Sequence, residues 1–197
     1  TFPNSPKHLG LYAKFGFRAR MLTPIAGKEV RGSNDANSFK TLRGLAAKEK
    51  AGSIKELREL TEDIYPGLDL TDEIVAVDEL GLGDVVMPAD GTEEGFAVCH
   101  AGPNTEGGTG TCYVKFAAAR PGASARTRFR NLLRSVEGYA SKRRLNTIEA
   151  GVNLARKGAY EELIAAGFRS DFSGVAMQRP DEPGFNRPDV FALDDWR

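Results

Sequence analysis

The feature that most constrains the fold of this chain is a helix-to-strand junction that occurs twice. Residues 11–18 read LYAKFGFR, and residues 163–169 read LIAAGFR. In each copy the pattern predicts an amphipathic helix that ends at a glycine, where the left-handed conformation costs nothing, and then a strand that begins at an aromatic residue. The two glycines, Gly16 and Gly167, lie about 150 residues apart, which is a plausible length for one domain. We therefore expect one complete unit preceded by the last helix and strand of another.

A polar stretch separates these two parts. Residues 27–37 are rich in Gly, Ser, Asn and Asp, a composition typical of linkers. We place the domain boundary there, with residues 1–30 as the remnant of a first domain and residues 31–197 as the complete domain. The apolar side chains of the remnant cannot bury themselves alone, so we expect the remnant to dock on the main domain or on a second chain.

Composition favours an ordinary globular protein without a nucleic-acid or membrane partner. The chain has 197 residues and 41% apolar content, enough to build a core, and 27 basic residues balance 27 acidic ones. This balance gives no general attraction to nucleic acid or anionic lipid. We find no apolar run long enough for a transmembrane helix and no signal peptide, so we expect a cytoplasmic protein. The spacing of Cys99 and Cys112 indicates neither a zinc site nor a disulfide framework, and we expect buried, reduced thiols and no metal.

The hydrophobic periodicity predicts an α/β fold with a mixed sheet. The last residues, 180–197, are expected to form an extended strap that packs on the body through Val190, Phe191, Leu193 and Trp196. Helices are predicted from Ser5, over 38–50, from a capping box at Ser53 and Glu56 to residue 66, over 124–142 and over 155–166. Strands are predicted over 17–26, 84–88, 95–100, 110–119, 147–152 and 168–179.

The order of these elements resembles the GNAT acyltransferases, which use acetyl-CoA or a related acyl-CoA. The resemblance rests on a strand over 113–119 that ends in Arg120 and Pro121, the long amphipathic helix, a strand ending in Asn153, a helix carrying Tyr160, and the ending Gly167-Phe168. It implies a mixed, mostly antiparallel sheet flanked by helices, and transfer of an acetyl group from acetyl-CoA to a primary amine. It also implies a tandem GNAT protein in which residues 1–26 are the end of the first copy.

The family's pyrophosphate loop is altered in this sequence. Its backbone N–H groups cradle phosphates at a helix start, but the expected positions hold Ser124, Thr127 and Phe129 in place of the usual pattern, and both glycines are missing. The resemblance implies that the cofactor contacts Ala118, Arg120, Arg126, Thr127, Arg128 and Asn153. The three arginines crowd one helix start, where positive charge opposes the macrodipole. Either they bind a phosphate-type ligand or they form a solvated face paired with local carboxylates.

Acetyl transfer also needs a proton donor for the departing thiolate and a base for the ammonium group. The resemblance implies that Tyr160 is the donor, whereas a tyrosine that packs its ring on the sheet is the structural alternative. His100 and Glu149 are the candidate bases, since each lies in or at the end of a strand. Asn153 is either a cofactor contact or a helix cap.

Two functions from different classes are considered, and the first is the leading prediction. The first is an acyl-CoA-dependent N-acetyltransferase that acts on a small-molecule primary amine. The second is a non-catalytic GNAT-like module, with a degenerate CoA site, that dimerises or supports a partner domain. The arginine cluster favours the enzyme, and the missing glycines favour the module. Binding of nucleic acid through the basic helix face has little support from a neutral chain without a recognition motif.

Overall fold

The computed structural model describes residues 1–32, 39–89, 91 and 94–194. Its helices are α1 (Pro6–Lys14), α2 (Ala47–Ile64), α3 (Thr71–Glu79), α4 (Ala125–Lys142) and α5 (Lys157–Ala165), with a 3₁₀ turn at Leu42–Gly44. Its strands are β1 (Arg18–Glu29), β2 (Phe39–Thr41), β3 (Gly83–Pro88), β4 (Gly95–Gly102), β5 (Gly108–Ala119), β6 (Thr147–Gly151), β7 (Arg169–Gln178) and β8 (Ala192–Asp194).

The strands form one mixed, mostly antiparallel sheet. Among the described residues it has eight strands, in the order β2-β3-β4-β5-β6-β1-β7, and β8 pairs with β5 away from this path. The pairing of β5 with β6 is parallel, and the other pairings are antiparallel. The α/β class and the mostly antiparallel sheet expected from the sequence are confirmed.

Helices cover both faces of this sheet, and each face has its own core. On one face, α4 and α5 bury Phe129, Leu132 and Leu163 against the sheet. On the other face, α2 and α3 bury Leu57 and Ile74 against a second set of strand side chains. The strands of such a three-layer fold alternate their side chains between the two cores, so parity along a strand places a residue on one face.

β1 lies inside the sheet. It pairs with β6 through residues from Ile25 to Glu29 and with β7 from Arg18 to Gly27. The segment interpreted as the end of a first domain therefore shares one sheet with the rest of the chain, which is how its strand docks. α1, in contrast, has no buried residue in the part of the chain that the structure describes.

Most of the predicted elements are confirmed, two predictions are wrong and one helix was missed. The predicted helix over 38–50 is wrong in its first part, because residues 39–44 form β2 and the 3₁₀ turn. The capping box at Ser53 and Glu56 is wrong, because Ser53 is buried inside α2, which starts at Ala47. α3 was not predicted at all, and Ser38 lies outside the described residues.

The C-terminal strap packs on the body as expected. Val190, Phe191 and Leu193 are all buried, and the last of the described residues form β8. Trp196 lies outside the described residues. Cys99 and Cys112 are buried free thiols, and the hydrogen bond between the two side chains, together with burial, raises the pKa of the Cys99 thiol. Within the described ranges no helix is both long and apolar enough to cross a membrane.

Candidate functional site

β5 carries Ala118 and β6 leads into Asn153, two positions where the resemblance implies cofactor contacts, and we call the gap between these two strands the wedge. The two parallel strands pair only from Thr111 to Val114 on β5, and beyond that point they diverge. β8 fills the gap, since Ala117 pairs with Leu193 and Ala118 with Ala192. One more bond, from the N–H of Ala119 to the carbonyl of Phe191 at 3.0 Å, extends this ladder. The chain's own C-terminal strand thus takes up the β5 edge at the predicted cofactor position Ala118.

Aromatic side chains close the same wedge on the α4 side. Phe191 lies with its ring centroid 5.7 Å from that of Phe129, and Phe129 is fully buried. Phe191 also approaches α5 so closely that a Cβ on Gly158 would lie 2.8 Å from its ring. Phe129, which stands at an expected glycine position of the pyrophosphate loop, is therefore a core residue.

The three arginines at the start of α4 each lie against a carboxylate. Arg126 Nη1 lies 2.5 Å from Glu162 Oε1, and Arg128 Nε lies 2.6 Å from Glu94 Oε2. Arg120 forms an ion pair with Asp63. Of the two interpretations left open by the sequence, the contacts match local pairing with carboxylates.

Glu162 connects α5 to α4 through two of these contacts. It is 4% exposed and accepts hydrogen bonds from Arg130 Nε at 2.5 Å and from Arg126 at the same distance. The hydrogen bond from Arg130, together with that from Arg126, lowers the pKa of Glu162 from its ordinary value of 4.5, although burial opposes this shift. Because the folded-state pKa is lowered, the contribution to stability is present above pH 4.5 and is lost as the pH falls through the lower value.

We expect Glu162→Gln to lower the free energy of unfolding at pH 7 by about 1 kcal/mol, since charge-assisted hydrogen bonds are lost to partners that are half exposed. The variant should also lose less stability than the parent chain between pH 5 and 3, because the titrating group is gone. Urea unfolding at a series of pH values measures both effects. Glu161→Gln, a neighbouring carboxylate 3.3 Å from Arg126, is the control and should show neither effect. If the free energy of unfolding changed with pH in the same way in the parent chain and in Glu162→Gln, Glu162 would not be the group whose protonation lowers the stability.

The other predicted positions on the α4 side have structural partners. The Asn153 side chain accepts a hydrogen bond from the N–H of Ala155 at 3.0 Å, which forms a turn before α5. The predicted helix cap is wrong, because the N-cap of α5 is Arg156 and no side chain caps this helix. Tyr160 is half-buried on α5 and packs against the core between α4 and the sheet. Thr127 lies exposed in the first turn of α4.

The two candidate bases lie on the opposite face. His100 is 5% exposed, with Nε2 3.4 Å from Glu73 Oε1 on α3 and Nδ1 3.6 Å from Glu106 Oε2. Glu149 lies between Ile148 and Ala150, which both belong to the α4-side core, so its side chain is on the α3 side. The structure therefore does not bring His100 or Glu149 together with Tyr160.

A polar cluster around His100 was missed by the sequence interpretation. Lys115 Nζ lies 2.9 Å from Glu106 Oε1, and the His100 ring meets the Tyr113 ring edge-on at 6.3 Å. The one signal in the sequence is a lysine in the middle of an otherwise apolar strand, which only a nearby carboxylate makes tolerable. The members come from separate parts of the chain, so only the fold reveals the cluster.

A cavity of about 470 Å³ lies on the face of β1 and β7 that is turned away from α4. We name it the β1–β7 pocket and define it by Tyr12, Phe17, Phe172, Gln178, Phe185 and Asp194. Its walls come from α1, β1, β7 and the C-terminal strap. Of the predicted site residues, only Asn153 lines it.

The comparisons with known proteins bear on the fold alone. No protein-family model matches the chain, and no curated protein is significantly similar to it. Among solved structures, a candidate acetyltransferase from Pyrococcus horikoshii superposes with a TM-score of 0.64 at 14% identity, covering 97% of this chain and 56% of that one. A GCN5-related N-acetyltransferase from Sphaerobacter thermophilus superposes with a TM-score of 0.56 at 14% identity, covering 89% of this chain and 56% of that one. The chain thus spans little more than half the length of these neighbours, and it has the GNAT acetyltransferase fold.

Proposed function

We propose that this chain is a non-catalytic domain of a GNAT-type N-acetyltransferase and that it supports a partner domain which carries out acetyl transfer from acetyl-CoA to a primary amine. The observation that carries the proposal is β8, which pairs with β5 in the wedge where the cofactor was expected. The residues present there do not fit acetyl-CoA. The β5 edge at Ala118 is already hydrogen-bonded, and the expected loop glycines are replaced by bulkier residues.

The energetic cost of opening the wedge supports this proposal. An extended ligand arm could bind the β5 edge only after β8 had left it. Removal of β8 would expose Phe191 and Leu193 and would break the buried ion pair of Arg156 with Asp194. Breaking a buried pair alone costs about 3–5 kcal/mol, which is a large part of the stability of an ordinary domain.

Exposed apolar side chains on and just after α1 are the evidence that a partner domain docks on this chain. Leu11 and Phe15 are 48% and 62% exposed, and Met21 and Leu22 at the start of β1 are 45% and 44% exposed. Exposed apolar side chains that form one patch mark interaction surfaces, and we propose that these four belong to such a patch. A preceding GNAT-like domain, of which α1 and β1 would be the last elements, is the partner that the repeated helix-to-strand junction favours. This chain covers 56% of each of the two solved neighbours, so each neighbour is long enough to contain a further domain.

A calorimetric titration of acetyl-CoA into this chain tests the proposal. We expect no saturable binding up to millimolar ligand, because the β5 edge and the arginines are occupied by the chain itself. Free CoA should behave in the same way. Saturable binding at micromolar acetyl-CoA would overturn the non-catalytic assignment.

The second candidate is that this domain itself binds acetyl-CoA and transfers the acetyl group. The arginines favour it, since Arg126 is 44% exposed despite its ion pair and could exchange a carboxylate for a phosphate. In that case Arg126→Ala and Arg128→Ala should each weaken acetyl-CoA binding at least tenfold. Arg134→Ala, an arginine farther along α4, is the matched control and should bind as the parent chain does.

A further inference from the structure

We propose that a second GNAT-like domain docks against β7 and α1 and is related to this domain by a pseudo-twofold axis. The inference rests on the proposed function, since it gives the partner domain a position and a surface chemistry. Its basis is that α1 and β1 repeat α5 and β7 at a constant offset of 151 residues, from Pro6 to Lys157 at the helix starts and from Arg18 to Arg169 at the strand starts. Both helices have nine residues.

The pairing of β1 with β7 follows the same offset. The two strands are antiparallel, and Thr23 lies opposite Gly174, which is its own equivalent in the repeat. Two antiparallel copies that meet at equivalent residues are related by a twofold rotation. A pseudo-twofold axis therefore passes through this pair and exchanges the two helix–strand units.

Contacts at the outer edges of β1 and β7 show the same symmetry. On β1, the N–H of Val152, just after β6, donates to the carbonyl of Pro24 at 3.1 Å. On β7, the nitrogen of Thr1 donates to the carbonyl of Val175 at 3.0 Å, and these two residues are the equivalents of the first two. The axis thus places the partner's counterpart of β6 along the outer edge of β7, where alternation turns the N–H of Met177 outward like that of Val175.

The same axis indicates which element covers α1. On α5 the buried residues are Gly158, Ala159, Glu162 and Leu163. Their equivalents on α1 are Lys7, His8, Leu11 and Tyr12. All four of these are exposed. Because α4 lies against α5 and binds Glu162, the partner's counterpart of α4 would cover this face of α1.

The charges of α1 define the surface of that partner helix. Lys7 and Lys14 flank Leu11 at spacings of four and three residues, and the sequence of α1 contains no acidic residue. Leu11 stands where α5 carries Glu162, which binds two arginines of α4. We therefore expect an apolar helix face bordered by carboxylates. A second copy of this chain does not fit, because its α4 would bring arginines against the lysines.

An extension of the intact chain tests the strand. The sequence of residues 145–151, which contains β6, is placed directly before Thr1. We expect the N–H of Met177 to exchange with deuterium about tenfold more slowly than in the parent chain, as measured by NMR. A control extension has proline at the positions copied from Ile148 and Ala150 and should give no protection, since proline has no N–H. Exchange of Met177 at the parent rate, or equal protection by both extensions, would overturn the proposal.

Two stapled peptides with the apolar face of α4 test the helix on the intact chain. One has glutamate and the other keeps arginine at the positions copied from Arg126, Arg130 and Arg134. We expect the acidic peptide to bind about tenfold more tightly in fluorescence anisotropy. Leu11→Ser should abolish this binding, whereas Leu80→Ser, the matched control at another exposed leucine, should not. Equal affinities of the two peptides, or no saturable binding, would overturn the proposal.

Two other occupants of this surface are tested with the same variant. Sedimentation velocity measures self-association, and vesicles of phosphatidylglycerol and phosphatidylcholine measure lipid binding. Dimerisation or vesicle binding that Leu11→Ser removes would overturn the inference. The acetyl-CoA titration reports on the proposed function separately: binding overturns that function, whereas no binding together with failure of both probes overturns only the position assigned to the partner domain.

Discussion

Replacing Arg156 by methionine will lower the free energy of unfolding by about 3–5 kcal/mol, because it leaves a buried carboxylate without its cation. Arg156 is fully buried and forms an ion pair with Asp194, whose side chain is 5% exposed. Its guanidinium also lies over the Phe185 ring, 5.2 Å from the centroid. The pair joins the start of α5 to β8, so its loss weakens the attachment of the whole strap.

Urea unfolding followed by circular dichroism measures this loss. Lys157→Met is the control, because the neighbouring Lys157 is 76% exposed and should change the stability by less than about 0.5 kcal/mol. The double variant Arg156→Met with Asp194→Leu should recover most of the lost stability, since an apolar pair of similar volume often replaces a buried ion pair without cost. If Arg156→Met were as stable as the parent chain, Arg156 would not form the buried ion pair with Asp194 in solution.

Phe191→Ala will cost about 3–5 kcal/mol of unfolding free energy, the usual range for removal of a buried aromatic ring. The ring fills the wedge against Phe129, and the Arg126 guanidinium lies 5.4 Å from its centroid. Gly158 allows its close approach, because any larger residue on α5 would meet the ring. The truncation would therefore leave a cavity between the strap, α4 and α5.

Thermal unfolding and urea unfolding both report this change. Phe15→Ala is the matched control, since Phe15 is 62% exposed and its truncation should change the free energy of unfolding by less than about 0.5 kcal/mol. If Phe191→Ala proved no more destabilising than Phe15→Ala, the strap would not be seated in the wedge in solution.

The long periodic elements could be predicted from the sequence, because their side-chain pattern is imposed by the layers that they join. Phe129, Leu132 and Val136 follow the spacing of one helix face, and they are buried in α4. α3 was missed because it begins after Leu70, which has no capping side chain, and its pattern has only two buried apolar residues, Ile74 and Val77. β2 was taken for a helix because a three-residue edge strand is too short to show an alternating pattern.

The candidate site was harder to predict, because its contacts join residues far apart in the chain. The sequence located the start of α4 and its arginines, but the carboxylates that pair with them come from Asp63, Glu94 and Glu162. Nothing in a linear pattern shows that β8 would enter the wedge, since a strand of three residues is defined by its partner. The sequence could not show which face carries His100 and Glu149, because alternation along a strand does not say which side α4 covers. For His100, irregularities in the β4–β5 pairing also shift the alternation.

The position of β1 has a consequence for how the chain folds. β1 precedes the other strands of this sheet in the chain but lies between β6 and β7, so its edges find their partners only after residues up to 178 have been synthesised. Contacts between residues so distant in sequence are closed slowly, because the entropy of a long loop is lost before the pairing is gained. We therefore expect slow refolding, and during translation β1 must wait with two open edges until β6 and β7 leave the ribosome.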